Sequence, residues 1–261
     1  MNSGIITVTT DFGITDPWTA IMKGVMLRIN GRANIVDISN SVPRCDIKCA
    51  GYLLGSCVPW FPRGTVHLAV VDPEVGGARR AIAVQGENHF YVGPDNGIFT
   101  LALRRDKFVG AVEIQPGKWT LDNISKTFEG RDVFAPVAAH LSNGVSLETL
   151  GTEIKREDLT TLELPGNELH GGLLRTSVLH IDNFGNLITM LHVGDLDRPV
   201  LSVKIGERVI PMKSTYSDVR DGEALAYWGS SGFCEIAVNK GSAAEELGVK
   251  SGDVLEIKLG R

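Results

Sequence analysis

Val70-Val71-Asp72-Pro73-Glu74-Val75-Gly76-Gly77-Ala78-Arg79-Arg80 is the stretch on which the reading of this chain turns. A mostly apolar run, Val66 to Val71, delivers the chain to Asp72. Pro73 then ends the strand, because proline has no N–H to give to a ladder. Gly76 and Gly77 let the backbone turn closely around whatever lies there. Arg79 and Arg80 follow, and a new apolar run opens at Ala81. A carboxylate at the carboxyl end of a strand, a glycine turn and then guanidinium groups is how open α/β sheets hold ligands. A salt-bridged hairpin with a glycine-rich turn would read the same way, and the stretch alone does not choose between the two.

The sequence on either side supplies the frame. Ile5 to Thr9 reads as a buried first strand, and Thr10 to Asp16 as a polar turn. Pro17 is then expected at the first position of a helix that Asp16 caps, with Ile21, Val25 and Ile29 inward and Gly31 at its end. Ala33–Ile38 reads as a second strand. Asp46 caps a helix running to about Cys57, with Leu53 and Leu54 inward. Strands follow at Val66–Val71, Ala81–Val84 and Phe90–Val92, a short helix begins in Ile98–Leu103, and Val133–Leu141 is apolar enough for a buried helix. Strands alternating with helices predict an amino-terminal α/β domain with a mainly parallel sheet.

Beyond about Gly151 the pattern changes. Lys155 to Asn167 is polar, contains the Pro165-Gly166 pair and reads as a linker. Then come short β-rich runs at Leu173–Ile181, Leu187–Leu191, Val200–Ile205, Val209–Met212, Ala224–Trp228, Phe233–Val238 and Val254–Leu259, with a short helix at Ser242–Leu247. Turn residues separate them at short intervals, the pattern of a small carboxy-terminal β-barrel or sandwich. The expected domains are 1–160 and 161–261.

Composition narrows the function. The chain has 261 residues, 43% hydrophobic and 22% charged, enough to build a proper core. A net charge of −5 argues against a nucleic-acid binder that works through a basic surface. No apolar run approaches the roughly eighteen residues of a membrane span. The amino terminus passes from Met1-Asn2-Ser3-Gly4 into Ile5–Val8 without a basic n-region, so a cytoplasmic protein is expected. Cys45, Cys49, Cys57 and Cys234 lack zinc spacings and read as reduced thiols, Cys45 and Cys49 on one face of a helix. His67, inside the central apolar strand, reads as a satisfied core residue. No P-loop, G-x-S-x-G elbow or G-x-G-x-x-G fingerprint is present.

Acids or amides stand at four strand ends: Asp11 with Asp16, Asp72, Asp95 with Asn96, and Asp182 with Asn186. Carboxylates that accept two hydroxyl hydrogens are the usual grip on a ribose diol. Asp16 is equally a plain helix cap, whereas Asp11 caps nothing obvious. Asp11 and Asp16 beside a first strand also resemble, loosely, the calcium-holding acidic turn of nucleoside hydrolases. Those enzymes place more acids more tightly, and this reading ranks second. Asp182-Asn183-Phe184-Gly185-Asn186 fits a β-hairpin turn. It also fits an aromatic face and two polar groups leaving one turn together, to stack a base and hold a polar head group. Tyr216 and Trp228-Gly229-Ser230-Ser231-Gly232 add aromatic and hydroxyl groups in the same domain.

Together the motifs resemble one family. They are Thr10-Asp11-Phe12-Gly13-x-x-Asp16, Val36-Asp37-Ile38, Val70-Val71-Asp72-Pro73-x-Val75-Gly76, Gly93-Pro94-Asp95-Asn96-Gly97, Gly130-Arg131-Asp132-x-Phe134-Ala135-Pro136, Ile181-Asp182-x-Phe184-Gly185-Asn186 and Gly241-Ser242-Ala243-Ala244, in that order. The family is the S-adenosylmethionine hydroxide adenosyltransferases, relatives of the fluorinating and chlorinating enzymes. The resemblance runs from about Ile6 to Leu247. It implies an α/β domain followed by a β-barrel, a homotrimer, and active sites shared between one subunit's first domain and its neighbour's second. The implied reaction is attack of water or hydroxide on C5′ of S-adenosylmethionine, giving adenosine and methionine, with no metal and no cofactor.

Carried over by position, the resemblance implies Asp11 as the ribose-diol acceptor, with Asp16 near the sugar and Phe128 against the substrate. Asp182, with Ser230 and Ser231, would hold the methionine amine and carboxylate. Phe184 and Tyr216 would flank the adenine and Asn186 would bond its edge. Asp72 and Arg79 match two members of an Asp–Arg–His set that handles the water. The third position, where the family has His, is Glu129 here. A sulfonium is already a good leaving group, so a positioned water and a base suffice, and Glu129 can be that base. A protein that binds S-adenosylmethionine or adenosine without useful turnover stays open, as does a calcium-dependent nucleoside hydrolase.

Overall fold

The computed structural model describes residues 3–163, 167–170 and 173–260. The Pro165-Gly166 pair of the expected linker lies outside the described residues. The chain divides into two compact units, residues 1–162 and 163–261.

The first unit is a seven-stranded sheet with helices on both faces. Its elements are β1 (Ile5–Thr10), α1 (Trp18–Ile29), β2 (Asn34–Ser39), α2 (Ile47–Cys57), β3 (Val66–Val70), β4 (Ala81–Gly86), β5 (Phe90–Pro94), α3 (Thr100–Arg105), β6 (Phe108–Ile114), α4 (Ala135–Ser142) and β7 (Gly151–Ile154). The sheet order is β2-β1-β3-β5-β4-β6-β7. The β2–β1, β1–β3 and β3–β5 junctions are parallel, and the β5–β4, β4–β6 and β6–β7 junctions are antiparallel. The sheet is therefore mixed, not mainly parallel as the sequence suggested. The reason is connection length. The turn between β4 and β5 closes with Gly86 N donating to His89 O at 2.8 Å. So short a link permits only a hairpin, since a parallel pair needs a crossover.

Alternation along β3 sorts its side chains. Val66, Leu68 and Val70 pack with Met22, Val25 and Met26 of α1 and with α4. Ala69 and Val71 pack with Cys49, Ala50 and Leu54 of α2 and with Phe99 and Ala102. Both faces of the central strands are thus buried, as their unbroken apolar runs require.

Several local expectations change. Pro17 stands at the N-cap of α1 and no side chain caps that helix, so Asp16 is exposed instead of serving as a cap. The buried stripe of α1 runs through Met22, Val25 and Met26, with Ile21 only half-buried, and Asn30 ends it ahead of Gly31. Cys45 lies outside α2 with φ 62°, exposed, while Cys49 is buried, so the two do not share a helix face. Asp46 does cap α2, accepting from Cys49 N at 2.9 Å. His67 is fully buried, but only Nδ1 is paired, with Thr7 Oγ1 at 2.8 Å, and Nε2 has no partner among the described residues. Burial, helped by His89, pushes its pKa down to about 3, so the ring is neutral at pH 7.

In the second unit every strand pair among the described residues is antiparallel, and only the isolated Met212–Ala226 bridge is parallel. The unit comprises β8 (Glu168–His170), β9 (Leu173–Ile181), β10 (Leu187–His192), β11 (Val200–Ile205), β12 (Arg208–Pro211), β13 (Ala224–Trp228), β14 (Phe233–Val238), α5 (Ala243–Leu247) and β15 (Val254–Leu259). The strand order is β12-β11-β15-β9-β10-β14-β13, with β8 beside β9. The two ends of that order nearly meet: Met212 bridges to Ala226, and Lys213 N donates to Ala226 O at 2.8 Å. The sheet thereby rolls into an almost closed barrel around Leu187, Leu191, Val203, Ala226, Ile236 and Ile257. Ser242 caps α5, accepting from Glu245 N, and Gly248 ends it with φ 66°.

Candidate active site

In the first unit the chemistry gathers where β3 ends. Val71 is buried, and Asp72 leaves the sheet into the turn closed by Gly77 N donating to Glu74 O at 2.8 Å. Gly76 has φ 76° and lies against the carbonyl of Lys126, where a Cβ would collide with backbone. That close approach lets Arg79 fold back over Asp72. Its Nε donates to Asp72 Oδ2 at 3.0 Å, and Nη2 donates to the same oxygen. Nη2 also donates to Glu129 Oε2 at 2.6 Å. The side chains of Asp72 and Arg79 are each 5% exposed and that of Glu129 18%. Burial opposes the charge on Arg79, but the hydrogen bonds and charges of the two carboxylates outweigh it and raise its pKa further. The guanidinium also sits 5.4 Å from the centre of the Phe134 ring.

Asp72 Oδ1 accepts from Glu74 N at 3.3 Å, so both of its oxygens are engaged. Glu129 Oε1 has no hydrogen bond from the described residues. The position of Glu129 is set by a π-helical turn, Gly130–Phe134, that precedes α4. Such turns recur at functional sites because they re-aim side chains. Asp132, fully buried, holds the turn to the preceding loop. It accepts from Arg131 Nε at 2.5 Å and Nη2 at 2.8 Å, and from Ser125 N at 2.8 Å. Burial alone would raise the Asp132 pKa, but these bonds and the Arg131 charge pull it below the usual carboxylate value.

Asp11 leaves the end of β1 and is half-buried, its Oδ2 accepting from Cys45 N at 2.9 Å. Asp11, Asp72, Phe128 and Glu129, with Phe12, Val70, Val75, Thr127 and Gly130, enclose a cavity of about 60 Å³. It has room for a few water molecules and little more. Next to it, Phe12, Thr127 and Phe128 are shared with a wider pocket of about 460 Å³ that adds Trp18, Ser125 and Arg131. Phe128 meets Phe12 and Trp18 edge-on, at ring-centre separations of 6.0 and 5.6 Å. Asp16 is exposed and makes no hydrogen bond among the described residues. Sequence reasoning missed Thr127 and Trp18, although an aromatic directly after Pro17 at a strand-end turn was a usable signal.

Asp95 and Asn96 lie elsewhere. Asp95 pairs with Arg80 at 2.5 Å and accepts from Thr160 N at 2.9 Å, and Asn96 Nδ2 donates to Val71 O at 2.9 Å. They brace the strand ends and the start of the expected linker.

In the second unit Asp182 organises the turn from β9 to β10. Its Oδ1 accepts from Phe184 N and Asn186 N, each at 2.9 Å, and its Oδ2 from Asn186 Nδ2 at 2.9 Å. Gly185, φ 80°, packs on Ser242. The Phe184 ring stands 76% exposed. Asn186 Nδ2 also donates to Tyr216 OH at 3.2 Å, Tyr216 and Tyr227 share a bond of 2.7 Å, and Tyr227 OH donates to Glu235 Oε2 at 2.6 Å. Asp182, Asn186 and Tyr216 are thus joined, and Tyr227 and Glu235, which sequence reasoning missed, complete the line. Their signal was register: Tyr227 and Glu235 are directly paired across β13 and β14. Burial chiefly, then the Asp182 charge, raises the Glu235 pKa against the opposing bond from Tyr227. The Ser230-Ser231 turn joins the same two strands, and Gly229 within it lies against the Glu235 carboxylate.

Among the described residues no three or more His, Cys, Asp and Glu side chains converge as metal ligands. No described helix is long and apolar enough to cross a membrane.

Residues 6–151 match the SAM hydroxide adenosyltransferase N-terminal domain, and residues 176–256 match its C-terminal domain. A Thermus thermophilus protein named (R)-S-adenosyl-L-methionine hydrolase is 43% identical over 93% of this chain and 95% of its own. One of the same name from Salinispora tropica is 37% identical over 98% of both chains. A crystal structure of an uncharacterized conserved protein from Thermotoga maritima superposes with a TM-score of 0.89 at 34% identity, covering 97% of this chain and 99% of that one. With both domains matched in order and relatives of this identity along nearly the whole length, the chain belongs to the SAM hydroxide adenosyltransferase family.

Proposed function

We propose that this protein is an enzyme that hydrolyses (R)-S-adenosyl-L-methionine to adenosine and methionine. Membership of the family and the shared name of its relatives support the substrate and the reaction. The observation that carries the mechanism is that Asp72 and Glu129, both paired to Arg79, line a cavity of a few waters' size that Asp11 also lines. A water oxygen attacks C5′. The C5′–sulfur bond breaks, its electron pair returns to sulfur, and the sulfonium becomes the neutral thioether of methionine. No acid is needed for that leaving group. The water's proton goes to Glu129, whose Oε1 is free to accept, while Arg79 keeps Asp72 oriented.

The remaining roles follow the family pattern. Asp11 takes the ribose diol, with Asp16 near the sugar and Phe128 against the substrate. Asp182, Ser230 and Ser231 take the methionine head group. Phe184 and Tyr216 flank the adenine and Asn186 meets its edge. Residues 1–160 then handle water and ribose, and 161–261 adenine and methionine. We place these halves in a cytoplasmic homotrimer, each site drawing on two neighbouring subunits, with no cofactor. The test is turnover of S-adenosylmethionine in heavy-oxygen water. The label should appear in the 5′-hydroxyl of adenosine. Unlabelled adenosine would refute direct hydrolysis, binding without products would favour a binding protein, and free adenine would point to a nucleoside hydrolase.

A further inference from the structure

The line of hydrogen bonds in the second unit has a direction, because it ends on a carboxylate at each side. Glu235 Oε2 accepts from Tyr227 OH. With its proton so placed, the Tyr227 oxygen faces Tyr216 as an acceptor, and Tyr216 is the donor of that 2.7 Å bond. The Tyr216 oxygen then accepts one proton of Asn186 Nδ2. The other proton of Nδ2 goes to Asp182 Oδ2. Turning the amide over would set its oxygen against that carboxylate, which accepts only. Burial first, then the bond to Glu235, push the Tyr227 phenol well above its ordinary pKa, so the proton that starts the line stays in place. Both N–H groups of Asn186 are therefore taken. Its backbone N–H is taken as well, by Asp182 Oδ1, and its carbonyl accepts from Asp182 N at 3.1 Å. What remains is Oδ1, an acceptor with no donor among the described residues, on a side chain of a residue only 5% exposed.

We propose that this relay locks Asn186 as a hydrogen-bond acceptor and so selects a 6-aminopurine over a 6-oxopurine, with Tyr227 and Glu235 as positioning residues for substrate specificity. The inference rests on the reading above, in which Asn186 meets the purine edge. A 6-amino group donates to Oδ1. A 6-oxo group sets lone pairs against this buried oxygen, and neither acceptor is satisfied.

The test compares kcat/KM for S-adenosylmethionine and for its 6-oxopurine analogue, S-inosylmethionine, on the intact protein. The analogue should be slower by about a hundredfold or more. Tyr227→Phe frees the Tyr216 proton to turn toward a 6-oxo group. It should cut that discrimination by about tenfold while S-adenosylmethionine is still turned over. A wild-type ratio near unity, with S-adenosylmethionine consumed, overturns the relay and leaves the hydrolase reading standing. Loss of turnover on both substrates to the same extent in Tyr227→Phe also overturns it, since a merely structural tyrosine would do that. If Tyr227→Phe does not fold, the wild-type ratio alone decides. If wild-type protein consumes neither substrate, the hydrolase reading falls and takes this inference with it.

Discussion

In the first unit two carboxylates, Asp72 and Glu129, share the guanidinium of Arg79. In the second, Asp182 and Glu235 have no ion pair among the described residues and are linked instead through Asn186, Tyr216 and Tyr227. The first centre carries one guanidinium that both carboxylates share, which suits the proposed placing of a water. The second carries fixed hydrogen-bond directions and acid without an ion-pair partner among the described residues, which suits the proposed binding of a donor-rich, cationic molecule. The first centre is thus held by ion pairs and the second by hydrogen bonds from amide and phenol groups that end on carboxylates.

The largest effect should come from removing the shared cation. Arg79→Met keeps the length of the side chain and leaves two buried carboxylates facing each other. Breaking a buried pair in this way costs about 3 kcal/mol or more. Loss of the oriented cluster should lower kcat by about a thousandfold. Steady-state turnover and thermal melts measure both. Activity within tenfold of wild type would show that the ion pairs are structural, and the contrast between the two centres would lose its meaning.

How much of this was legible in the sequence differs between the units for the same physical reasons. The strands Leu173–Ile181, Val200–Ile205, Ala224–Trp228 and Phe233–Val238 are found where their β-rich runs placed them. The turns between them carry clear residues, so little else was possible. In the first unit, β6 holds Gly110 and Glu113 and β7 exposes Thr152 and Glu153, and neither pattern stands out from loop. Missing both strands, together with the hairpin between β4 and β5, made the sheet look mainly parallel. At the site, Asp72 and Arg79 lie seven residues apart and could be paired by eye. Glu129 reaches Arg79 across fifty residues, and only the family resemblance brought it there in advance. Glu235 stayed unseen because a single acid in a barrel strand looks like a solvent-facing residue, until its partner across the strand is known to be Tyr227.

A second, intermediate effect would test whether the two centres serve one site on different subunits. Asp72→Asn chains and Asp182→Ala chains should each be nearly inactive alone. In randomly mixed trimers, about a quarter of the interfaces would pair an intact first unit with an intact neighbouring second unit. Activity of roughly that fraction should return after mixing and reassembly. No recovery, with mixed trimers shown to form, would mean that both centres act within one chain or at different sites. Recovery from a species that sizes as a monomer is impossible in this scheme and would refute it outright.

The smallest effect separates the centres by pH. The Glu235 carboxyl has its pKa raised in the folded protein, chiefly by burial and secondarily by the Asp182 charge. A raised acid favours the folded state while protonated. Its contribution is therefore present below the ordinary glutamate range and is lost as pH rises through the folded value. Glu235→Gln removes that titration and keeps the shape. Between pH 4 and pH 8 the melting temperature of wild type should fall relative to the variant, by on the order of a few degrees, and then run parallel to it. Asp132, in the first unit, has the opposite sign. Its pKa is lowered by Arg131 and by the Ser125 N–H despite burial, so its contribution is present above the usual aspartate value and is lost as pH falls through the folded one. Asp132→Asn should accordingly keep its disadvantage against wild type across that series and lose it only when the series is extended well below pH 4. If the two variants drift in the same direction with pH, the opposite signs assigned to Glu235 and Asp132 are wrong, because both would then be governed by net charge alone.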